Sequence, residues 1–304
     1  MSLLSVGTVA FDEIETPFGK SGKILGGAAP YISLAASKLG VQTNIVSVVG
    51  DDFPDQYLNI LKENHCNIDG IKKIPEGKTF FWAGKYHMDM NFRDTLRTDL
   101  NVLENFKPEL PENYKNPEVV MLGNLHPKVQ MEIIEQLDNR PFIIMDTMNY
   151  WMDRTWDELM AVMKRVDVLS INDEEARQMS EEYSLKKAAK KILTMGPKFL
   201  IIKKGEHGAL LFEGDEVFFA PALPLEEVFD PTGAGDTFAG GFSGHLANTL
   251  DFTFENMKRA VIYGSALASF TVEKFGVQRL LEINELDIQN RIDKFKKLSY
   301  FDLE

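Results

Sequence analysis

Short apolar runs rich in β-branched residues alternate with amphipathic stretches through most of the chain. Each amphipathic stretch is long enough to carry the chain back to the same edge of a sheet, so the rhythm dictates parallel strands with crossover helices. The pattern predicts strands at 2–10, 41–49, 119–122, 142–146, 167–171 and 199–203, and helices at 28–39, 127–138, 155–165 and 172–195. Two segments, 12–23 and 77–100, break the rhythm. Residues 79–87 alternate aromatic and polar side chains, as a strand with one covered face does, and the two segments predict a small β flap. From Gly233 onward the apolar spacing is helical, over 237–250, 254–272 and 284–298.

A chain of 304 residues with this pattern is expected to form a single α/β domain over 1–304, the flap being an appendage to one dominant core. Lys and Arg total 33 against 46 Asp and Glu, a net charge of −13. Such a surface repels phosphate backbones and anionic lipid, so the expected partner is a small molecule rather than nucleic acid or membrane. A local positive pocket for a phosphorylated ligand is compatible with that envelope. The lone cysteine, Cys66, cannot form an intrachain disulfide, and no Asn-x-Ser/Thr sequon occurs, which makes the cytosol the expected compartment. The longest stretches free of Asp, Glu, Lys and Arg, 24–37 and 237–250, are 14 residues each, short of the ~18–20 that span a bilayer. The N-terminal residues reach Asp12 and Glu13 with no basic lead, and read as a first strand rather than a signal peptide.

The stretch Asp230-Pro231-Thr232-Gly233-Ala234-Gly235-Asp236-Thr237-Phe238 places two glycines and an alanine at the mouth of a helix. Free N–H groups converge there, and small residues let an anion approach them, so Gly233, Ala234 and Gly235 read as an anion hole suited to a transferring phosphoryl group. Asp236 falls in the first helical turn, where it can orient and deprotonate an acceptor hydroxyl. The same residues also suit a glycine-rich turn with Asp236 serving only the helix terminus.

This stretch, continuing to Phe242, resembles the second signature of the ribokinase/PfkB family of carbohydrate and nucleoside kinases. The resemblance implies a doubly wound, mainly parallel sheet with helices on both faces and a small β lid, formed by 12–23 and 77–100, over the acceptor. It implies that Gly233, Ala234 and Gly235 form the hole and that Asp236 is the catalytic base. Gly26-Gly27, opening a helix that ends in Leu39-Gly40, is similar to the family's first signature. Where the family usually has an Asn that binds sugar hydroxyls, this chain has Tyr31, and Asp12 matches the substrate-binding carboxylate. Asn172-Asp173-Glu174-Glu175 resembles the NxxE motif, with Glu175 acting on Mg2+ through water. As residues alone these four are equally a capped helix start. Lys203-Lys204-Gly205-Glu206-His207-Gly208 falls at the family's nucleotide loop, where many members have Thr followed by an apolar residue. Lys203, Gly205 and Gly208 are assigned to ATP, and His207 has no assigned role. Asp146-Thr147-Met148-Asn149 resembles the family's Asp-Pro-Asn strand end with changed spacing, and Gly264 and Ser265 fall near its adenine-side pair.

Gly19-Lys20-Ser21 and Gly77-Lys78-Thr79 imitate the end of a phosphate-binding P-loop but have Ile14 and Lys72 where that loop needs glycine. Phe238 occupies the third glycine position of a dinucleotide fingerprint, and neither zinc-ligand spacing nor a serine-hydrolase elbow is present. The expected activity is Mg2+-dependent transfer of the ATP γ-phosphate to a hydroxyl of a sugar, with a nucleoside as the alternative acceptor. A ligand sensor that binds without phosphorylating is the alternative from another class. A monovalent cation near Asp230 and Thr232 is a further implication of the family pattern, and an exposed flap leaves open both a homodimer paired through the lid and a flap that stays alone.

Overall fold

The computed structural model describes residues 2–300 and 302; Met1, Phe301, Leu303 and Glu304, at the ends of the expected 1–304 domain, lie outside them. A nine-stranded sheet has the order β13-β12-β11-β10-β9-β8-β1-β4-β5. Its strands are β1 (Ser2–Val6), β4 (Gln42–Gly50), β5 (Cys66–Ile74), β8 (Val119–Leu122), β9 (Phe142–Asp146), β10 (Val168–Asn172), β11 (Phe199–Lys203), β12 (Ala209–Glu213) and β13 (Glu216–Ala220). All pairs are parallel except β11 with β12 and β12 with β13.

Neighbouring residues of the central strands enter different cores. Leu3, Met121, Ile144 and Ile201 pack against α1 (Ala28–Ser37), α8 (Ala234–Thr249) and α9 (Phe254–Thr271) on one face. Leu4, Val120, Met145 and Leu200 pack against α3 (Pro127–Glu135), α5 (Trp156–Met163), α6 (Asp173–Ser180) and α7 (Leu185–Leu193) on the other. Burial on both faces is why these strands read as continuous apolar runs.

The expected 2–10 strand ends at Val6, because Gly7 packs against the start of α1 and the chain turns outward there. The expected 172–195 helix is two helices: Glu181 takes a left-handed conformation (φ 57°), which stops α6 before α7 begins. The helix α2 (Asp55–Glu63), strand β5, helix α4 (Asn149–Arg154) and the β12–β13 hairpin lie outside the elements that periodicity predicts.

A second sheet, of mixed direction, has the order β3-β2-β6-β7, with β2 (Ala10–Thr16), β3 (Gly19–Gly26), β6 (Phe81–Tyr86) and β7 (Arg93–Asp99). It is the lid, and both of its attachments are fastened to the main sheet's C-terminal edge. Thr8 caps α1 beside the first: its Oγ accepts the Ala28 N–H (3.0 Å) and its carbonyl the Ala29 N–H (3.0 Å). Gly27, the residue before α1, has φ 87°, and a side chain there would strike the Thr8 carbonyl. At the second, Thr79 Oγ accepts the Gly50 N–H (3.0 Å) and donates to Asp52 (2.7 Å).

α1 is buried along its whole length and crosses α8 at backbone contact: a Cβ on Gly240 would lie 2.2 Å from the Ile32 carbonyl oxygen. Gly240→Ala is therefore expected to force the helices apart and destabilise the protein by about 1–3 kcal/mol. Calorimetry reads this as a melting temperature several degrees lower, and an unchanged one would show that the crossing tolerates a methyl group.

Candidate active site

The sheet reverses its winding between β1 and β8, and in open α/β sheets ligands bind at the strand ends beside such a point. The loop into α8 arrives there. Asp230, fully buried, accepts the Thr232 N–H (2.9 Å) and the Gly276 N–H (3.1 Å), which fixes the loop before α8. Gly233 is left-handed (φ 75°) and lies on the Tyr31 ring, where a Cβ would come within 2.4 Å of it. Ala234 donates its N–H back to the Pro231 carbonyl (3.2 Å), closing the turn into α8. Gly235 follows in the first turn, where N–H groups have no partner within the helix.

Asp236 stands at the same turn. Burial, and then the nearby Asp146 carboxylate, push its carboxyl up to about 7, against the pull of Lys203 and Arg93. Asp146 ends β9, and Lys203 ends β11 two strands away. The Lys203 ammonium reaches across to Asp146 Oδ2 (3.3 Å) and lies 3.5 Å from where a Cβ on Gly235 would be. Burial opposes charging this ammonium, but Asp146, Glu175 and Asp236 outweigh it and hold its pKa above the ordinary lysine value. Glu175 joins Asn172 in a capping box at the start of α6: Glu175 accepts the Asn172 N–H and Asn172 the Glu175 N–H, both at 2.8 Å. Burial, then Asp146, raise the Glu175 carboxyl to about 7. Both readings of this motif thus share one geometry: the capping box holds the carboxylate at the cluster.

The opposite wall is built from α1 and the lid. Asp12, on β2, is buried and accepts the Gly27 N–H; burial lifts its carboxyl to about 7. A Cβ on Gly26 would overlap that carboxyl at 2.1 Å. The Tyr31 hydroxyl is buried with no hydrogen-bond partner, and Asp12, Asp230 and Asp236 are the carboxylates acting on it. Tyr86, on β6, accepts a hydrogen bond from Thr232 Oγ1 (3.2 Å). Arg93, paired with Tyr86 across β6 and β7, acts on Asp12, Glu175 and Asp236 together. Trp82 pairs with Asp12 in the parallel β2–β6 register, and its ring extends over Gly84 on that same face.

A family profile described as pfkB family carbohydrate kinase matches residues 7–284. The chain belongs to the pfkB family. It is 30% identical over 247 residues to the cytidine kinase of Thermococcus kodakarensis, covering 80% of this chain and 87% of that one. The crystal structure of the Methanocaldococcus jannaschii nucleoside kinase superposes with a TM-score of 0.79 at 23% identity, covering 96% of this chain and 98% of that one. An E. coli protein solved with ATP and Mg2+ gives a TM-score of 0.80 at 21% identity, covering 96% of this chain and 99% of that one. The protein is a phosphotransferase with an alcohol acceptor, on the doubly wound fold and lid that the family resemblance implies.

In this pfkB kinase the remaining sequence-derived positions fall on two sides of the cluster. Gly205 and Gly208 flank a turn closed by the Lys204 N–H and Gly208 carbonyl (2.8 Å), and the lid tip meets this turn where Asn91 donates to Glu206 (3.1 Å). His207 is exposed. Gly264 packs on Phe238 of α8, making it a helix-crossing residue, with half-buried Ser265 beside it on α9. Asn149 starts α4 and bonds Gln178, away from the charges, and it is Asp146 of the same motif that enters the cluster. Sequence reasoning left Asp146 and Arg93 without roles. Asp146 is visible as the acidic end of an apolar strand, whereas nothing in 93–99 distinguishes Arg93.

Among the described residues no group of three or more His, Cys, Asp or Glu could hold a metal unaided, and no helix is long and apolar enough to cross a membrane. Asp146, Glu175 and Asp236 outnumber Lys203 three to one around its ammonium. Hard carboxylate oxygens whose charge Lys203 and Arg93 offset only in part fit a divalent cation that arrives with a nucleotide's phosphates.

The raised Asp236 carboxyl has a stability consequence. Its folded pKa of about 7 exceeds the unfolded 3.8, so the folded state keeps a proton that the unfolded state releases. The resulting stabilisation is complete below the unfolded value and is lost as pH rises through about 7. Asp236→Asn is expected to raise the melting temperature over wild type more at pH 8 than at pH 5. An equal change at both would show that Asp236 ionises as an ordinary carboxylate.

Proposed function

We propose that this pfkB kinase transfers the γ-phosphoryl group of ATP to a ribose hydroxyl of a nucleoside. The observation that carries the acceptor class is the placing of Trp82 beside Asp12 on one face of the lid: a carboxylate that takes hydrogen bonds from sugar hydroxyls next to an indole that can cover a base. The likeness to a cytidine kinase supports the same reading. Asp12 and the unpartnered Tyr31 hydroxyl hold the sugar, with Gly26 and Gly27 giving it room. Asn172, Lys203, Gly205, Gly208, Gly264 and Ser265 form the ATP side, and Glu175 meets Mg2+ through water. When bound, Mg2+ neutralises phosphate charge.

Asp236 takes the proton of the acceptor hydroxyl as that oxygen bonds the γ-phosphorus and the bond to the ADP oxygen breaks. Gly235 N–H and Lys203 receive the charge on the equatorial oxygens, and the lid excludes water that would otherwise hydrolyse ATP.

The test is ADP release from MgATP with ribonucleosides, free pentoses and hexoses as acceptors. Nucleoside-dependent ADP is expected, with kcat falling about 10²–10⁴-fold in Asp236→Asn while ATP still binds. ADP with free sugars alone would replace the nucleoside by a simple sugar, and ligand-induced thermal stabilisation without ADP from any acceptor would favour a sensor. Because burial and Asp146 lift Asp236 to about 7, kcat/KM is expected to fall as pH drops below 7. A profile flat down to pH 5 would assign the proton to another group.

A further inference from the structure

We infer that Asp146 is a positioning residue of this kinase: it holds the Lys203 ammonium beside the mouth of α8, where that ammonium meets the transferring phosphoryl group. The inference rests on the kinase reading above and goes beyond it, because it gives Asp146 a task that acts only through Lys203.

Lys203 ends β11 and Asp146 ends β9, so the contact between them passes over the end of β10. Three carboxylates surround the ammonium, from β9, α6 and α8, and Arg93 faces the same group from the lid. Of the three, Asp146 is the one in contact with it, at 3.3 Å. The other two are otherwise committed: Glu175 closes the capping box with Asn172, and Asp236 faces the acceptor. Asp146 is also the most firmly mounted. Its Oδ1 accepts the Thr147 N–H (2.8 Å). Its carbonyl accepts from Gln130 Nε2 (3.1 Å), which also bonds the Gly123 carbonyl (3.0 Å) and so fixes the ends of β8 and β9 together. Gln130 is fully buried.

A lysine side chain has four rotatable bonds, and an ammonium among three carboxylates has several places to go. Drawn to Asp236, it would occupy the proton acceptor and leave the phosphoryl group. Tethered to Asp146, it stays near Gly235, on the side of the hole where charge collects. A displacement of about 1 Å in such a group costs on the order of 100-fold in rate.

The experiment is a double-mutant cycle with MgATP and a ribonucleoside. Asp146→Asn keeps an acceptor for the Thr147 N–H, and Lys203→Met keeps the length of the stem. Each single variant is expected to lose about 100-fold in kcat with acceptor KM within about threefold, and the double variant to be no more than about threefold worse than either. Losses that multiply, or an Asp146→Asn enzyme with normal kcat, would overturn the assignment and give Asp146 an independent role or none. If Asp146→Asn does not fold, Asp146→Glu keeps the charge on a stem one methylene longer; an intermediate kcat is expected, and a normal one is contrary. The same proteins titrated with adenylyl imidodiphosphate report the pair without turnover. Binding is expected to weaken by about 10-fold in each single variant and no further in the double, and unchanged binding would overturn the inference. A wild type that binds this analogue with that coupling yet makes no ADP would instead defeat the kinase reading.

Discussion

The backbone-to-backbone crossing of α1 and α8 is the constraint on which the rest of the molecule depends. Gly240 and Gly244 let α8 lie against Ile32 and Ala36 of α1, and the two helices then present their N-termini side by side at one edge of the sheet. One terminus carries the Gly26-Gly27 turn against Asp12, and the other carries Gly233 and Asp236. Tyr31 lies one turn inside α1 and fills the space beneath Gly233, so the wall that carries Asp12 and the wall that carries Asp236 are parts of a single packed joint. Larger residues at the crossing would separate the two halves of the chemistry even if every polar residue were kept.

The second determinant is electrostatic. Asp12, Glu175 and Asp236 all have carboxyl groups lifted to about 7, in each case first by burial. Raised carboxyl groups of this kind favour the approach of a positive charge or a proton. Lys203 and Arg93 offset part of the excess from opposite sides, one from the main sheet and one from the lid. This accounts for a phosphate-handling site inside a protein of net charge −13: the cations are local, few and held in place.

The main-sheet strands were legible because burial on both faces leaves unbroken apolar runs, and α8 because two glycines and an aspartate mark its start. The lid was legible as a break in rhythm, with its strands at 10–26 and 81–99 against the expected 12–23 and 77–100. The hairpin β12–β13 and the strand β5 were not, because half-exposed strands carry charged residues such as Lys72 and Glu216 that dilute the apolar signal. Within the site, residues near the turns at 26–27, 172–175, 203–208 and 230–236 were visible as motifs. Asp146 was visible as part of a strand-end motif but its contact with Lys203 was not, and Arg93 was not visible at all, since both depend on three-dimensional neighbours on other strands. Gly264 packs against Phe238 in the fold, a contact that its place in the sequence does not announce.

The two attachments of the lid bear on how the molecule moves. β3 runs straight into the Gly26-Gly27 turn and then into α1, whose first N–H groups are tied to Thr8, while β6 follows the Thr79 clamp on Gly50. The lid is thus a lever whose fulcrum is part of the site itself. A swing of its strands would turn Asp12 with it, whereas Asp236 starts α8 and Lys203 ends a strand of the main sheet. Any opening would therefore do more than admit solvent: it would carry Asp12 away from Asp236, so the lid would set the spacing of the two walls as well as cover them.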